Sequence, residues 1–256
     1  MEPDLPGVDG SAEPFVSSSS IATPQRILYS RECNNSLINA NIRKTISSGL
    51  DINAMGGFCN RTCLIDAVQN GCISDIELLM RYKANLNVKD SEGLTALMWA
   101  IIKGNMDAAK LLIEKGVDLS VRDHHGWFTL IWAIWAGKGS NKDFIKLLIE
   151  GGADVNKKDM KGRTALMYTS MYSSRDIAEL LIEKGAVLNV KDDEHGWTAL
   201  MLAAIYDTDI TELLIEKGAD LNVKDNTNGW TALMWAIWAG RRLNTDTANL
   251  LIKNGA

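Results

Sequence analysis

The sequence predicts an all-α solenoid, a stack of helix pairs added one unit at a time. Three observations carry this. A helix-opening phrase returns about every 33 residues: GLTALMWAIIKG from Gly93, GWFTLIWAIWAG from Gly126, GRTALMYTSMYS from Gly162, GWTALMLAAIYD from Gly196 and GWTALMWAIWAG from Gly229. A Leu-Leu-Ile run recurs behind it, at Leu111–Ile113, Leu147–Ile149, Leu180–Ile182, Leu213–Ile215 and Leu250–Ile252. A glycine then stops each second helix, at Gly116, Gly151, Gly185, Gly218 and Gly255, because the left-handed turn after a helix suits a residue without Cβ.

Residues 1–25 hold all four prolines, Pro3, Pro6, Pro14 and Pro24, and the serine run Ser17–Ser20. So little apolar side chain cannot offset the entropy of ordering, and a disordered tail is predicted. The folded domain is expected over 26–256. Ile27, Leu28, Leu37, Ile42 and Ile46 fit one side of a helix pair that ends at Gly49-Leu50-Asp51-Ile52-Asn53. This unit, about 27–53, reads as a degenerate N-terminal cap, since one face of a terminal repeat meets water. About six full repeats follow, over 54–87, 88–120, 121–156, 157–189, 190–222 and 223–256. Each opens on a polar turn closed by Gly, or by Asn60 in the first. Thr62, Thr95, Thr164, Thr198 and Thr231 then stand where a hydroxyl can accept from an orphan N–H at a helix start. Leu97, Ala100 and Ile101 represent the first helix. An extended piece, Ala153–Asn156 or Ala219–Asn222, closes a unit.

The order turn, Thr-Ala-Leu-Met, helix pair, Leu-Leu-Ile-Glu-Lys-Gly-Ala-Asp-Leu-Asn resembles the ankyrin repeat over about residues 27–256. The resemblance implies side-by-side helix pairs with short β-hairpin fingers projecting to one side. It also implies a contact surface running from fingers to first helices. The chain departs from the family pattern in places. Thr-Pro-Leu-His is here Thr-Ala-Leu-Met, so Met98, Met167, Met201 and Met234 replace a polar cross-tie with apolar packing. Phe128-Thr129 replaces Thr-Ala in one unit, and Ser120 replaces the closing Asn that stands at Asn87, Asn156, Asn189 and Asn222.

A second period overlies the first. Gly93 to Gly196 and Gly126 to Gly229 are both 103 residues apart, and Trp127, Trp132 and Trp135 map onto Trp230, Trp235 and Trp238 by that shift. Both Trp-rich units carry a longer link between their helices, at Lys138–Lys142 and Arg241–Thr245. A duplicated three-repeat block follows, with two similar surface patches.

The chemistry of the chain narrows its function. A net charge of −5 argues against nucleic-acid binding, which usually shows a basic excess. No apolar run approaches the ~18 residues of a membrane span, and the acidic start, Glu2 and Asp4, does not read as a secretory signal. Cys33, Cys59, Cys63 and Cys72 are confined to the first 72 residues, which suits free thiols in a reducing, cytoplasmic compartment; a nuclear or secreted destination stays open. Their spacing fits a zinc site poorly. His124, His125 and His195 all sit in turns with no nucleophile placed beside them, and Glu114, Glu150, Glu183 and Glu216 recur as a solvated face. No phosphate-cradling glycine loop occurs. The chain is therefore expected to be no enzyme, with no catalytic residue, cofactor or metal.

The aromatic residues divide into two sets. Trp99, Trp132, Tyr168 and Trp235 follow the helix-start Leu by two residues, a place that the ankyrin resemblance turns toward a neighbouring repeat, and are expected in the core. The rest stand where the resemblance places contact residues: Trp127, Trp197 and Trp230 after the turn Gly, then Ile102, Trp135, Met171, Tyr172, Ile205, Tyr206 and Trp238 at the first-helix ends. From these the partner-binding set is Trp127, Trp135, Met171, Tyr172, Trp197, Tyr206, Trp230 and Trp238. The three after the turn Gly either brace adjacent fingers or touch the partner. The expected function is a monomeric protein-interaction module that holds a protein or peptide on its concave face. The alternatives are a targeting or inhibitory effector acting on an enzyme or host protein, and a methyl-lysine reader with Trp walls.

Overall fold

The computed structural model describes residues 51–55, 60–137, 141–240 and 245–256. The tail at 1–25, the helices expected in the cap unit, Cys33, Cys59 and most of the two longer links lie outside the described residues. Twelve helices form six pairs among those described: α1 Cys63–Gln69 and α2 Ile73–Arg81, α3 Ala96–Ile102 and α4 Met106–Glu114, α5 Thr129–Ala136 and α6 Lys142–Glu150, α7 Ala165–Met171 and α8 Arg175–Glu183, α9 Ala199–Tyr206 and α10 Thr208–Glu216, α11 Ala232–Gly240 and α12 Asp246–Lys253. First helices pack on first helices, and second on second, so each pair covers its neighbour along the stack.

The two helix types differ because their surroundings do. An internal first helix, such as α3 or α5, is enclosed by its own partner and by both adjacent first helices. It is apolar all round, and α3 and α5 each bury six residues. A second helix keeps one face in water; α4 buries only Ala108, Ala109 and Leu112. None of the described helices is long and apolar enough to cross a membrane.

The helix ends follow the sequence with local exceptions. Thr62, Thr95 and Thr198 accept from the N–H groups of Ile65, Met98 and Met201 at 3.3, 3.4 and 3.3 Å. Thr164 makes no such bond. Phe128 takes the cap position of α5, and Thr129 inside the helix donates instead to the Leu119 carbonyl at 3.0 Å. After α6 the left-handed residue is Gly152, at φ +95°, while Gly151 stays right-handed at φ −74°. The expectation at Gly151 is thus corrected by one residue: α6 runs on through its right-handed cap before the chain reverses. The same left-handed place after α2 is filled by Lys83 at φ +60°.

The expected hairpins are replaced by turns: no β-strand forms among the described residues, which hold only an isolated bridge at Arg61. The reason lies in an aspartate. Asp90 Oδ1 accepts from the N–H groups of Glu92 and Leu94, both at 2.9 Å, and Asp123 and Asp159 do the same for their own turns. These side-chain bonds close the turn locally and take N–H groups that a strand ladder would need.

Polar ties join successive units. Asn87, Asn156 and Asn189 accept through Oδ1 from the N–H of Asp118, Val187 and Asp220 at 2.9, 2.8 and 2.9 Å. Arg122 and Lys158 donate to the carbonyls of Lys158 and Lys191 at 2.6 and 3.1 Å, and Lys191 to Asn226 Oδ1 at 3.2 Å. Ser120 is too short to extend the asparagine series. Replacing it, Ser120→Asn, should add one such tie and raise stability by about 0.5–1 kcal/mol, the net worth of an ordinary hydrogen bond, read from the urea midpoint.

Candidate functional site

The aromatic side chains gather into two clusters. In the first, Trp132 lies 5.8 Å from Trp127 and 5.2 Å from Trp135, and Trp127 lies 5.2 Å from Tyr168 of the next unit, all edge-to-face. In the second, Trp235 lies 5.0 Å from Trp230, 5.9 Å from Trp238 and 5.2 Å from Trp197 of the preceding unit, with the same geometry. This arrangement favours ring edges against ring faces and adds to the large buried area. The 103-residue shift of the sequence is therefore a repeat in space as well.

A carboxylate anchors each cluster. Trp132 donates from Nε1 to Asp123 Oδ2 at 3.0 Å, and Trp235 to Asp225 Oδ2 at 2.9 Å. Trp99 does so to Asp90 at 2.8 Å, and the Tyr168 hydroxyl to Asp159 at 2.6 Å. One oxygen of each aspartate thus shapes the turn, while the other ties the turn to the first helix. Burial pushes the Asp123 carboxyl above its ordinary range, and the Trp127 backbone N–H and the Trp132 indole pull it back. The Tyr168 hydroxyl is pushed up by burial and by the Asp159 charge. The sequence carries this device openly: an aspartate precedes the aromatic residue by nine positions at Asp90, Asp123 and Asp159, and by ten at Asp225.

The residue after the turn Gly reaches forward to the next unit. Trp127 sits against Tyr168, and Trp197 against Trp235. Arg61 points its Nε at Asp90 Oδ2, 3.6 Å away, with its guanidinium over the Trp99 ring. Arg163 points at Asp192 Oδ2, 3.5 Å away. That last junction differs from the others. Leu202 stands where four other units have an aromatic donor, so Asp192 Oδ2 meets only the buried guanidinium. Arg163 also approaches Glu194 at 3.7 Å, and the His195 ring stacks on Trp197 at 4.6 Å.

The sequence-derived contact residues fall into two classes. Trp127 and Trp197 are buried, at 5% and 1% exposure, and serve as braces between units. Trp135, Met171, Tyr172, Tyr206, Trp230 and Trp238 are half-buried. Five of these six mark the ends of first helices, as do Ile102 and Ile205; Trp230 stands at the turn. The Tyr206 hydroxyl is pushed up by burial, with Arg163 acting against it. Trp99, Trp132, Tyr168 and Trp235 are all buried, as the sequence predicts. Trp127 and Trp135 stand edge-on at 6.3 Å and pack on each other instead of forming two open walls. His124 and His125 are exposed, whereas His195 is half-buried. Cys63 and Cys72 are unbridged cysteines, half-buried and buried, and burial pushes the Cys63 thiol up.

Comparison with known proteins agrees with this architecture. No curated protein matches the chain. A solved chain does: it belongs to the complex of the Bd0816 predatory endopeptidase from Bdellovibrio bacteriovorus with immunity protein Bd3460. The two share 32% identity with a TM-score of 0.64, over 74% of this chain and 96% of that one. The family model for ankyrin repeats (3 copies) matches residues 31–123, 64–159, 130–225 and 189–256. With stacked helix pairs, recurring turns and this match over most of its length, the chain belongs to the ankyrin-repeat family.

Proposed function

We propose that this chain is a non-catalytic interaction module that holds a protein or peptide partner on the concave face, along the first-helix ends. The observation that carries the reading is the half-buried row, in which Trp135 and its counterpart Trp238 stand 103 residues apart in equivalent places. Large aromatics that are partly open supply hot-spot energy when a partner completes their burial. Met171, Tyr172 and Tyr206 lie on the helices between them and extend the same row. Trp230 flanks it at the turn. Trp127 and Trp197 support the row from beneath.

Titration of an identified partner against Trp135→Ala and Trp238→Ala tests this. Each is expected to weaken binding by ~2 kcal/mol, about 30-fold. Unchanged affinity in the double variant would sink the aromatic row as the binding surface.

A second reading is an inhibitory role against an enzyme, with a peptidase the first class to try. It is favoured by the 32% identity to a chain of a peptidase–immunity protein complex. Dose-dependent inhibition of a peptidase from the same source by the purified chain supports it, and full activity at saturating chain argues against it.

A further inference from the structure

The chain carries a net charge of −5, yet its charges are sorted by place. Helices α8 and α10 hold six carboxylates, Asp176, Glu179, Glu183, Asp209, Glu212 and Glu216, against one cation, Arg175. Along the turns runs a file of cations. The residue before the turn aspartate is Lys89, Arg122, Lys158 and Lys191 in four successive units. Lys89 is exposed and the other three are half-buried. Neighbouring helices pack about 8–10 Å apart, so the file repeats at about that spacing.

The file is not cancelled from within. Asp90, Asp123, Asp159 and Asp192 are buried, and among the described residues none pairs with it. Their oxygens are taken by backbone N–H groups and by Trp, Tyr or Arg side chains. Arg122 and Lys158 donate to carbonyls and Lys191 to an amide oxygen, all neutral. Of the file, only Lys158 meets a carboxylate among the described residues, that of exposed Asp193. Glu194 is taken by Lys161 and Arg163. Burial and the Asp90 charge push the Glu92 carboxyl above its ordinary range, with Arg61 acting against them. Each anchored aspartate ties its turn to its first helix, so the file accompanies the first-helix ends along the stack. Exposed Lys103 adds a cation beside Ile102, and Asp207, beside Tyr206, is engaged in capping α10 through the Ile210 N–H at 2.9 Å.

We propose that this face takes an acidic amphipathic helix of a partner protein. Its carboxylate stripe meets Lys89, Arg122 and Lys191, and the apolar stripe beside it meets Trp135, Tyr172 and Tyr206. The inference rests on the function proposed above and gives that partner its chemistry. A helix shows two adjoining stripes to one side, whereas a strand turns successive residues to opposite sides. Carboxylates seven residues apart on a helix stand about 10 Å apart, which matches the file. The chain already uses this recognition: Asp193 and Glu194 each meet a lysine of the preceding turn at 3.4 Å.

The test selects, on the full chain, from a displayed library of random peptides about 20 residues long, enough to span three file cations as a helix. The selected peptides should be acidic, with apolar residues at helical spacing. Their affinity, read by fluorescence anisotropy on synthetic copies, should fall roughly 10-fold between about 0.05 and 0.5 M salt. The combined variant Lys89→Gln, Arg122→Gln and Lys191→Gln should lower it by a similar factor. Arg122→Lys alone should leave it near the wild type, since the charge is kept. Selected peptides that are neutral or basic, or that ignore the combined variant, while weakening in Trp135→Ala, overturn the acidic helix and leave the aromatic row standing. Peptides that bind Trp135→Ala as they bind the wild type overturn both. A single-stranded oligonucleotide held by the same three cations as tightly as the selected peptides, or a selection that enriches no peptide, also overturns the acidic helix.

Discussion

Replacing Arg163 by methionine is expected to destabilise the protein by about 3–5 kcal/mol, the cost of leaving a buried charge without its partner. The side chains of Arg163 and Asp192 are 6% and 0% exposed, so water cannot take the place of the guanidinium. At the other four turns the second carboxylate oxygen accepts from a Trp or Tyr of the same unit. At Asp192 that donor is absent, and the junction between the units at 157–189 and 190–222 rests on the arginine. Urea unfolding at neutral pH measures the loss. Asp192→Asn in the same background removes the stranded charge and keeps an oxygen for the N–H groups of His195 and Trp197, which now bind at 2.8 and 3.1 Å. It should recover most of the deficit. A cost under ~1 kcal/mol for Arg163→Met would show that the pair does not hold this junction. The exposed pair Lys158–Asp193, 3.4 Å apart, serves as the control; removing it by Asp193→Ala, which leaves the Lys158 tie to the Lys191 carbonyl, should move stability by no more than about 0.5 kcal/mol.

Trp132→Ala is expected to cost about 4 kcal/mol and Trp132→Phe about 2 kcal/mol. The first change empties a fully buried site at the centre of the first aromatic cluster. The second keeps a ring in the site but is smaller than the indole, and it removes the N–H that Asp123 accepts. Its pH dependence separates the two causes. Burial raises the Asp123 carboxyl in the folded protein, and the Trp132 donor holds it down. A carboxyl raised by folding loses stability as pH climbs from its ordinary range through its folded value. Without the donor the folded value rises further, so Trp132→Phe loses more over that climb than the wild type does. The Trp132→Phe deficit should therefore be larger at pH 7 than near pH 4, where a protonated Asp123 has less need of the donor. A deficit that stays constant between the two would assign the cost to packing alone.

Much of the helical framework is legible in the sequence because periodic positions encode it. The Leu-Leu-Ile runs and Thr-Ala-Leu-Met phrases recur in register, and each marks a helix face that must be buried against its neighbour. Trp99, Trp132, Tyr168 and Trp235 were assignable to the core because the family resemblance turns their place toward a neighbouring repeat. The turns were less legible. Family resemblance suggests hairpins, but the Asp90, Asp123 and Asp159 side chains satisfy the local N–H groups first. The partners of these aspartates stand nine or ten positions away, on the following helix. Nothing local marks such a pair until the turn folds back.

What the sequence by itself determined is the family, the all-α stack and the 103-residue duplication. Those follow from spacing, and spacing is a property of one chain read in a line. Only the tertiary structure decided which of the tryptophans are open. Trp127, Trp197 and Trp230 hold the same place after a turn glycine. The first two are covered by the unit that follows, and the third has no such cover among the described residues. Exposure depends on what the next repeat lays over a side chain, and that is fixed by stacking, not by the residue's own position in the repeat.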